Sequence, residues 1–216
     1  FLGEHPQYQC VRSLSYYFDT QTGERKAEQD EKRGDLSKED LFWDILEFRT
    51  FVCCGCYMLR SEAFFSIYPD RHIPEYPVGQ NFQMLLPFMY RHKCPTMQEE
   101  LYGVAVRQGS HSRLPLTQTQ EEKKYSDYEF LVDEIAGICQ LEDQESLNRL
   151  ERWKAKRRYQ ISLKYGRRKE ALHAMRRMYR CGGLRTGEML KEIIAGYLIY
   201  SWVGRLLYPV YRRIRH

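Results

Sequence analysis

The sequence lacks an apolar run long enough to cross a bilayer, and its cysteines lack the regular spacing of a disulfide-stabilised fold. A membrane-spanning helix needs about 20 mostly apolar residues, whereas the uncharged stretch at residues 193–204 has 12. The seven cysteines are odd in number and irregularly placed, which argues against an extracellular disulfide framework and for a reducing compartment. The sequence therefore predicts a cytoplasmic protein.

Acidic residues are scarce in the last third of the chain. Residues 151–216 contain 18 Lys and Arg against 4 Asp and Glu, whereas residues 1–150 contain 16 against 25. The formal net charge of +5 therefore hides a bipolar molecule. A basic segment of this density predicts an anionic partner, and membrane headgroups or polyphosphate are favoured over nucleic acid.

Strands and helices alternate in the predicted first part of the chain. Alternating aromatic and β-branched residues predict a strand at 8–19, and a charged stretch at 20–34 predicts a loop. Ser37 and Asp40 resemble a capping box before a short helix whose buried stripe is Leu41, Phe42, Ile45 and Leu46. The apolar run 51–59 predicts a strand covered on both faces, and a helix follows from Ser61.

A further helix is predicted at 79–92, with Phe82, Leu85, Leu86 and Met89 facing the sheet and Pro87 kinking it or sitting near its start, and a strand at 96–106. Beyond Leu116 the period becomes helical, with a break at Gly166, a later apolar stripe of Leu172, Met175 and Tyr179, and an end at Gly182-Gly183. The pattern predicts an α/β layer structure at 1–117 and an all-helical, basic region at 118–216.

Three short patterns occur in a fixed order in the first part. They are Gly55-Cys56-Tyr57-Met58-Leu59-Arg60, then Gly79-Gln80-Asn81-Phe82-Gln83 and Arg107-Gln108-Gly109-Ser110-His111-Ser112-Arg113. Together they resemble the acceptor half of a family-2 glycosyltransferase of the GT-A fold, over residues 8–113. The order and spacing of the motifs carry the resemblance, since each motif alone is weak. The implied fold at 1–117 is the C-terminal half of a GT-A-like mixed-sheet domain.

One motif of that family is missing. No Asp-x-Asp occurs in the chain, although the family uses it in the donor-binding half to hold a divalent cation, Mn²⁺ or Mg²⁺, on the sugar-nucleotide diphosphate. The resemblance therefore implies that the chain is the C-terminal portion of a longer protein. We expect the chain alone not to turn over a nucleotide sugar.

The position of the catalytic base departs from the family pattern. Where the family opens its helix with a carboxylate, this chain has Gly79-Gln80, and an amide cannot accept a proton at neutral pH. Glu75 and Asp70 are the nearest replacements in the sequence. Gln80 and Asn81 either face substrate or cap the helix, and both roles stay open.

The remaining candidate residues bind rather than react. The resemblance places Gly55, Cys56, Tyr57 and Arg60 in the acceptor wall, and Arg60 alternatively pairs with Glu62 or Asp70. Donors suited to a diphosphate leaving group are concentrated in one predicted loop: Arg107, Ser110, Ser112 and Arg113. His111 in the same loop is a candidate ligand for the cation, against the ordinary alternative of a solvated histidine.

The cysteine-rich segment Cys53-Cys54-Gly55-Cys56 is interpreted as buried thiols in a strand. A metal clip is disfavoured because adjacent strand residues point to opposite faces, and no second Cys/His pair follows at zinc-site spacing. The C-terminal segment from Thr186 combines apolar, aromatic and basic residues. It predicts either an anchor on an anionic membrane surface or a helix that packs on the fold.

The function predicted is transfer of a sugar from a nucleotide-sugar donor to a polysaccharide or lipid-linked glycan acceptor. The predicted location is peripheral, on the inner face of the cell membrane. The alternative is a non-catalytic helical module whose basic face at 152–180 binds nucleic acid or a protein partner.

Overall fold

The structure is a computed structural model that describes residues 1–26, 34–106, 116–182 and 187. The described residues form a mixed α/β structure. They divide into two compact units, the first formed by Phe1–Pro115 with Asp133–Cys139 and the second by Leu116–Val132 with Gln140–His216.

The sheet of the first unit has four strands arranged around β1 (Cys10–Asp19). β3 (Tyr57–Leu59) pairs antiparallel with the start of β1, and β2 (Arg25–Lys26) pairs antiparallel with its end. β4 (Thr96–Val106) pairs parallel with β1. Because Arg12 has partners in both β3 and β4, these two strands lie on opposite edges of β1. The predicted strands at 8–19 and 96–106 are confirmed.

The prediction of a loop at 20–34 is wrong at Arg25–Lys26. Asp19 closes the hairpin, because its Oδ1 accepts from the Gln21 N–H at 2.8 Å and its N–H donates to the Glu24 carbonyl at 2.9 Å. Gly23, at φ 72°, supplies the left-handed residue of the turn. A turn built by an Asx motif needs no apolar signal in the sequence.

The pairing of β1 with β4 is irregular in its first half. Thr96 lies opposite Arg12, but Glu100 lies opposite Leu14 and Tyr102 opposite Ser15, so β4 carries extra residues over this stretch. Such bulges bend a strand and redirect its side chains. Tyr102 lies at the point where regular pairing resumes.

The prediction of one strand at 51–59 is also wrong. The chain makes a 3₁₀ turn at Cys54–Cys56, and only Tyr57–Leu59 is strand. Met58 is 65% exposed, so the strand is not covered on both faces. The apolar residues of this run serve a turn instead, with Cys56 packed against Leu14 and Phe51.

The described part of residues 1–106 also contains three α-helices: α1 (Phe42–Leu46), α2 (Ser61–Phe65) and α3 (Gln80–Arg91). The buried stripes predicted for α1 and α3 are confirmed, and Pro87 lies inside α3. α3 packs against α1. The predicted capping by Ser37 is wrong, because its hydroxyl donates to Asp35 Oδ1 at 2.6 Å and Leu41 holds the N-cap position.

The second unit is helical in its described residues, with α4 (Gln118–Cys139), α5 (Gln144–Lys164) and α6 (Arg168–Arg180). α4 contributes its last seven residues, Asp133–Cys139, to the first unit. The predicted break at Gly166 is confirmed, at φ 69°. Asp143 caps α5 by accepting from the Ser146 N–H at 2.8 Å.

The apolar stripe predicted for α6 is wrong at two of its three positions. Leu172 is 42% exposed and Tyr179 is 53% exposed, whereas Met175 is buried. The interface between α5 and α6 is formed by small and flexible residues together with one tyrosine, namely Ala155, Tyr159, Ala171, Ala174, Met175 and Met178. Alanines let the two helices approach closely, which leaves the larger side chains on the outer face.

The described helices include none with the length and apolar character needed to cross a membrane. The segment from Thr186 onward, for which a membrane anchor is predicted, lies outside the described residues apart from Gly187.

Candidate functional site

The first motif begins at a turn where glycine is required by a close approach. A Cβ on Gly55 would lie 2.1 Å from Cζ of Tyr102 and 2.2 Å from its Cε2. Real side chains do not come this close, so the ring of Tyr102 covers the backbone at Gly55. Gly55 was predicted in the acceptor wall, but Tyr102 was not, although its ring forms part of the same surface and the residue is 37% exposed.

Tyr57 belongs to a buried polar cluster. Its hydroxyl donates to the Phe51 carbonyl at 2.8 Å and accepts from Arg12 Nη1 at 3.5 Å. Burial raises the pKa of Tyr57, and the neighbouring guanidinium of Arg12 acts in the opposite direction. The hydroxyl is therefore held by the protein.

Arg12 is the centre of that cluster and was not among the predicted site residues. Its guanidinium is completely buried, donates to Thr96 Oγ1 and Thr50 Oγ1 at 2.8 Å each, and lies over the Phe51 ring at 4.6 Å. The sequence carried a signal for the burial of Arg12. Side chains two residues apart share a face of a strand, so Arg12 lies on the same face of β1 as Cys10 and Leu14. The cluster joins β1, the start of β4 and the segment that leads into the 3₁₀ turn.

Arg60 attaches the start of the chain to the end of β3. Its Nε donates to the Tyr8 carbonyl at 3.0 Å and its Nη2 to the Leu2 carbonyl at 2.6 Å. The alternative of an ion pair with Glu62 or Asp70 is wrong, because the two carbonyls take the guanidinium. Arg60 thus holds the edge of the first motif in place.

The second motif is tied to the segment that precedes the first motif. Gly79 is in the left-handed conformation, φ 64° and ψ 36°, and precedes α3 without a side-chain cap. Asn81 Nδ2 donates to the Val52 carbonyl at 2.6 Å, so the predicted capping role is wrong for Asn81. Its amide instead ties the start of α3 to Val52, the residue before the cysteine turn, by which we mean residues 53–56. Gln80 is exposed beside this junction.

The two candidate bases are both at the surface. Glu75 and Asp70 are exposed, and Asp70 Oδ1 accepts from the His72 N–H at 3.0 Å in a local turn. They lie in the connection between α2 and α3.

The third motif lies outside the described residues. This applies to Arg107, Ser110, His111, Ser112 and Arg113, so their roles stay predictions. β4 ends at Val106, opposite Asp19 at the end of β1. Within the described residues, no group of three or more His, Cys, Asp or Glu side chains is arranged to hold a metal ion.

The cysteine turn has an electrostatic asymmetry that a strand of buried thiols would not have. A hydrogen bond from the Cys56 thiol and the N–H groups of Gly55 and Cys56 lower the pKa of Cys53 to about 6, although burial acts against them. Burial and the neighbouring Cys53 raise the pKa of Cys54 to about 11. Adjacent thiols thus differ strongly in their tendency to ionise.

The basic residues of the second unit are largely used within that unit. Arg158 makes a two-point contact with Glu129 at 2.7 Å for each bond, and the guanidinium of Arg157 lies 4.5 to 4.9 Å from the ring centroids of Trp153, Tyr128 and Tyr125. Other cations pair with nearby carboxylates: Lys154 and Arg177 with Glu151, Lys164 with Glu121, and Arg167 with Glu122 and Glu170. Acids of α4, α5 and α6 therefore neutralise part of the predicted basic face, whereas Arg168, Lys169, Arg176 and Arg180 are exposed on α6.

No protein-family model matches this chain, and no curated protein is significantly similar to it.

Proposed function

We propose that the chain is the acceptor-side part of a family-2 glycosyltransferase, which transfers a sugar from a nucleotide-sugar donor to a polysaccharide or lipid-linked glycan. The observation that carries the proposal is the 2.6 Å hydrogen bond from Asn81 to the Val52 carbonyl. It ties the start of α3, which carries the second motif, to the segment that leads into the first motif. Such a contact supports an acceptor site built from a strand end and the following helix start.

The surroundings of these motifs support an acceptor surface. The Tyr102 ring covers Gly55, and Met58 is exposed on the same short strand that follows the turn. Sugar rings bind to exposed aromatic and apolar groups through their C–H faces. In this proposal Tyr102 joins Gly55 and Tyr57 in the acceptor wall, the buried Cys56 packs beneath it against Leu14 and Phe51, and Arg60 and Arg12 hold the wall rigid from behind.

Proton transfer is assigned to a carboxylate near α3 rather than to Gln80. In this proposal Glu75 or Asp70 takes the proton of the acceptor hydroxyl, because both are exposed in the connection that leads into α3. Gln80 and Asn81 then orient the acceptor and the wall. The loop at 107–113 binds the leaving diphosphate, and a divalent cation neutralises it with His111 as one candidate ligand.

The rival function, a basic helical module for nucleic acid or a protein partner, receives less support. Such a module needs a continuous row of available cations. In the second unit Arg158, Lys164 and Arg167 are engaged by Glu129, Glu121 and Glu122 instead. Breaking these pairs to bind phosphate would cost the protein the contacts that join α4 to α5 and to the start of α6.

The test is a kinetic comparison in the longest natural polypeptide that contains this sequence. Release of nucleoside diphosphate is measured with a panel of UDP and GDP sugars, Mn²⁺ and glycan acceptors. For Arg113→Ala we expect kcat to fall about 10²- to 10³-fold with little change in the acceptor KM, because a contact to the leaving group strengthens in the transition state.

Arg176→Ala is the matched control, because Arg176 is an exposed arginine on α6 and its loss changes the net charge equally. Residues 1–216 alone should release no diphosphate. Identical kinetics for Arg113→Ala and the control would contradict the assignment of the loop. Absence of turnover with every donor of the panel would contradict the proposed function itself.

A further inference from the structure

Two thiols lie at the ends of the cysteine turn, residues 53–56. Cys53 precedes the 3₁₀ turn at Cys54–Cys56, and the Cys56 N–H donates to the Cys53 carbonyl at 3.0 Å. The hydrogen-bonded turn therefore brings the two residues close together. Neither cysteine is in a disulfide bond in the structure.

The backbone of this turn has the dimensions that a disulfide needs. Residues i and i+3 of a hydrogen-bonded turn have Cα atoms within about 7 Å of each other. Disulfides join Cα atoms about 4.4 to 6.8 Å apart. Closing a bond between Cys53 and Cys56 therefore requires rotation of side chains and little movement of the backbone.

The two sulfurs differ in a way that suits a stepwise exchange. Cys53 is partly exposed and Cys56 is buried, so an incoming reagent reaches Cys53 first. Cys54, next to them, is also partly exposed, but its pKa is raised to about 11 by burial and by Cys53. A thiolate is the attacking species, which makes Cys53 the reactive member of the three.

We propose that Cys53 and Cys56 are a redox-active dithiol that exchanges with low-molecular-weight disulfides such as glutathione disulfide. The geometry of the turn, with Cys53 partly exposed and Cys56 buried beside it, carries this proposal, which does not depend on the glycosyltransferase proposal. The pKa of Cys53, which the Cys56 thiol and the N–H groups of Gly55 and Cys56 lower, supports it further because the thiolate is the attacking species.

The reaction balances in two exchange steps. The Cys53 thiolate attacks one sulfur of glutathione disulfide, forms a mixed disulfide and releases one glutathione thiolate. The Cys56 thiol then loses its proton to solvent, and its sulfur attacks Cys53 Sγ and releases the second glutathione thiolate. The protein is oxidised by two electrons to the Cys53–Cys56 disulfide, glutathione disulfide is reduced to two glutathione molecules, and the reverse reaction restores the dithiol.

The first experiment uses a peptide that isolates the turn. Tryptic cleavage after Arg49 and Arg60 releases residues 50–60, whose three cysteines are the three of the turn. The folded full chain is equilibrated with mixtures of reduced and oxidised glutathione, quenched with acid, alkylated and digested. As the mixture becomes oxidising, we expect this peptide to change from a form with three alkyl groups to a form with one alkyl group and one disulfide, with a single transition.

Two serine variants identify the pair. Cys54→Ser should still form the disulfide, whereas Cys56→Ser should stop at a stable glutathione adduct on Cys53. Persistence of the disulfide in Cys56→Ser, or its loss in Cys54→Ser, would overturn the assignment, because it would mean that the adjacent cysteines pair. A glutathione adduct that wild type never resolves would overturn it as well.

The pH dependence of alkylation tests the contact between the two sulfurs. At pH 7 we expect iodoacetamide to modify Cys53 at least about tenfold faster than Cys54, after allowing for the lower nucleophilicity of a low-pKa thiolate. Cys56→Ser keeps a hydrogen-bond donor and should keep the midpoint of the Cys53 reaction, whereas Cys56→Ala should move it to higher pH. Equal midpoints for the serine and alanine variants, or an ordinary midpoint of about 8.5 in wild type, would refute the proposed contact.

Discussion

Replacing Gly55 by alanine should destabilise the first unit through a clash with one identified ring. The new Cβ would lie 2.1, 2.2 and 2.6 Å from three ring carbons of Tyr102. Carbon atoms in contact are about 3.5–4.0 Å apart, so the ring must move by about 1.5 Å. Since Tyr102 is partly exposed, its ring has room to swing outward at the expense of its contact with the turn.

The expected cost follows from two opposing effects. Forcing an extra carbon into a packed contact costs about 1–3 kcal/mol. Replacing glycine by alanine at a conformation that alanine tolerates stabilises by about 0.4–1 kcal/mol, because the unfolded chain loses freedom. We therefore expect Gly55→Ala to lower the free energy of unfolding of the first unit by about 1–2 kcal/mol.

The assay is urea unfolding followed by hydrogen exchange and mass spectrometry of peptides from the first unit, so that the second unit does not contribute to the reading. Gly137→Ala is the control, because nothing lies within 4 Å of the position that its new Cβ would take and it falls in the part of α4 that belongs to the first unit. That helical substitution should stabilise by about 0.5–1 kcal/mol.

A double-mutant cycle then assigns the cost to the ring. In the Tyr102→Ala background, Gly55→Ala should be neutral or slightly stabilising, which gives a coupling energy of about 1–3 kcal/mol between the two positions. If Gly55→Ala were equally destabilising with and without the tyrosine ring, the steric argument would be refuted. The need for glycine would then have another cause.

Two further outcomes concern the second unit and the C-terminal segment. Burial acts to raise the pKa of Glu121, but hydrogen bonds from Lys164 and Tyr165 outweigh it and lower the pKa. The ionised Glu121 therefore stabilises the folded state. This stabilisation is complete above the ordinary carboxylate pKa of about 4.3 and is lost as pH falls through the lowered value. Glu121→Gln should therefore reduce the melting temperature at pH 7 and make its decline in acid shallower, whereas the exposed Glu142→Gln should leave both unchanged. Truncation before Thr186 should reduce co-sedimentation with anionic vesicles, while the melting temperature of the remaining protein stays nearly constant. The binding that remains should weaken with salt, because the Debye length falls to about 8 Å at physiological ionic strength. A large loss of stability with negligible vesicle binding before and after truncation would mean that the segment belongs to the fold.

The candidate site combines local motifs with distant partners. The motifs at Gly55 and Gly79 could be found in the sequence because short patterns are local, but the partners that give them a structural role lie elsewhere in the chain. Tyr102 covers Gly55, and Val52 receives the amide of Asn81. Arg12 was missed because a charged residue inside a strand pattern suggests an exposed face, and the hydroxyls of Thr50, Thr96 and Tyr57 that accept from it lie far away in the sequence.

The sequence by itself determined the elements that depend on residues close together in the chain. The strand at 96–106, the buried stripe of α3 and the break at Gly166 were all readable, because apolar spacing and glycine conformation act over a few neighbouring residues. The tertiary structure alone decided that residues 51–59 form a turn before a short strand, and that α5 and α6 meet through alanines. Those outcomes depend on which distant surfaces pack together, since an apolar run satisfies burial equally well as a strand or as a turn.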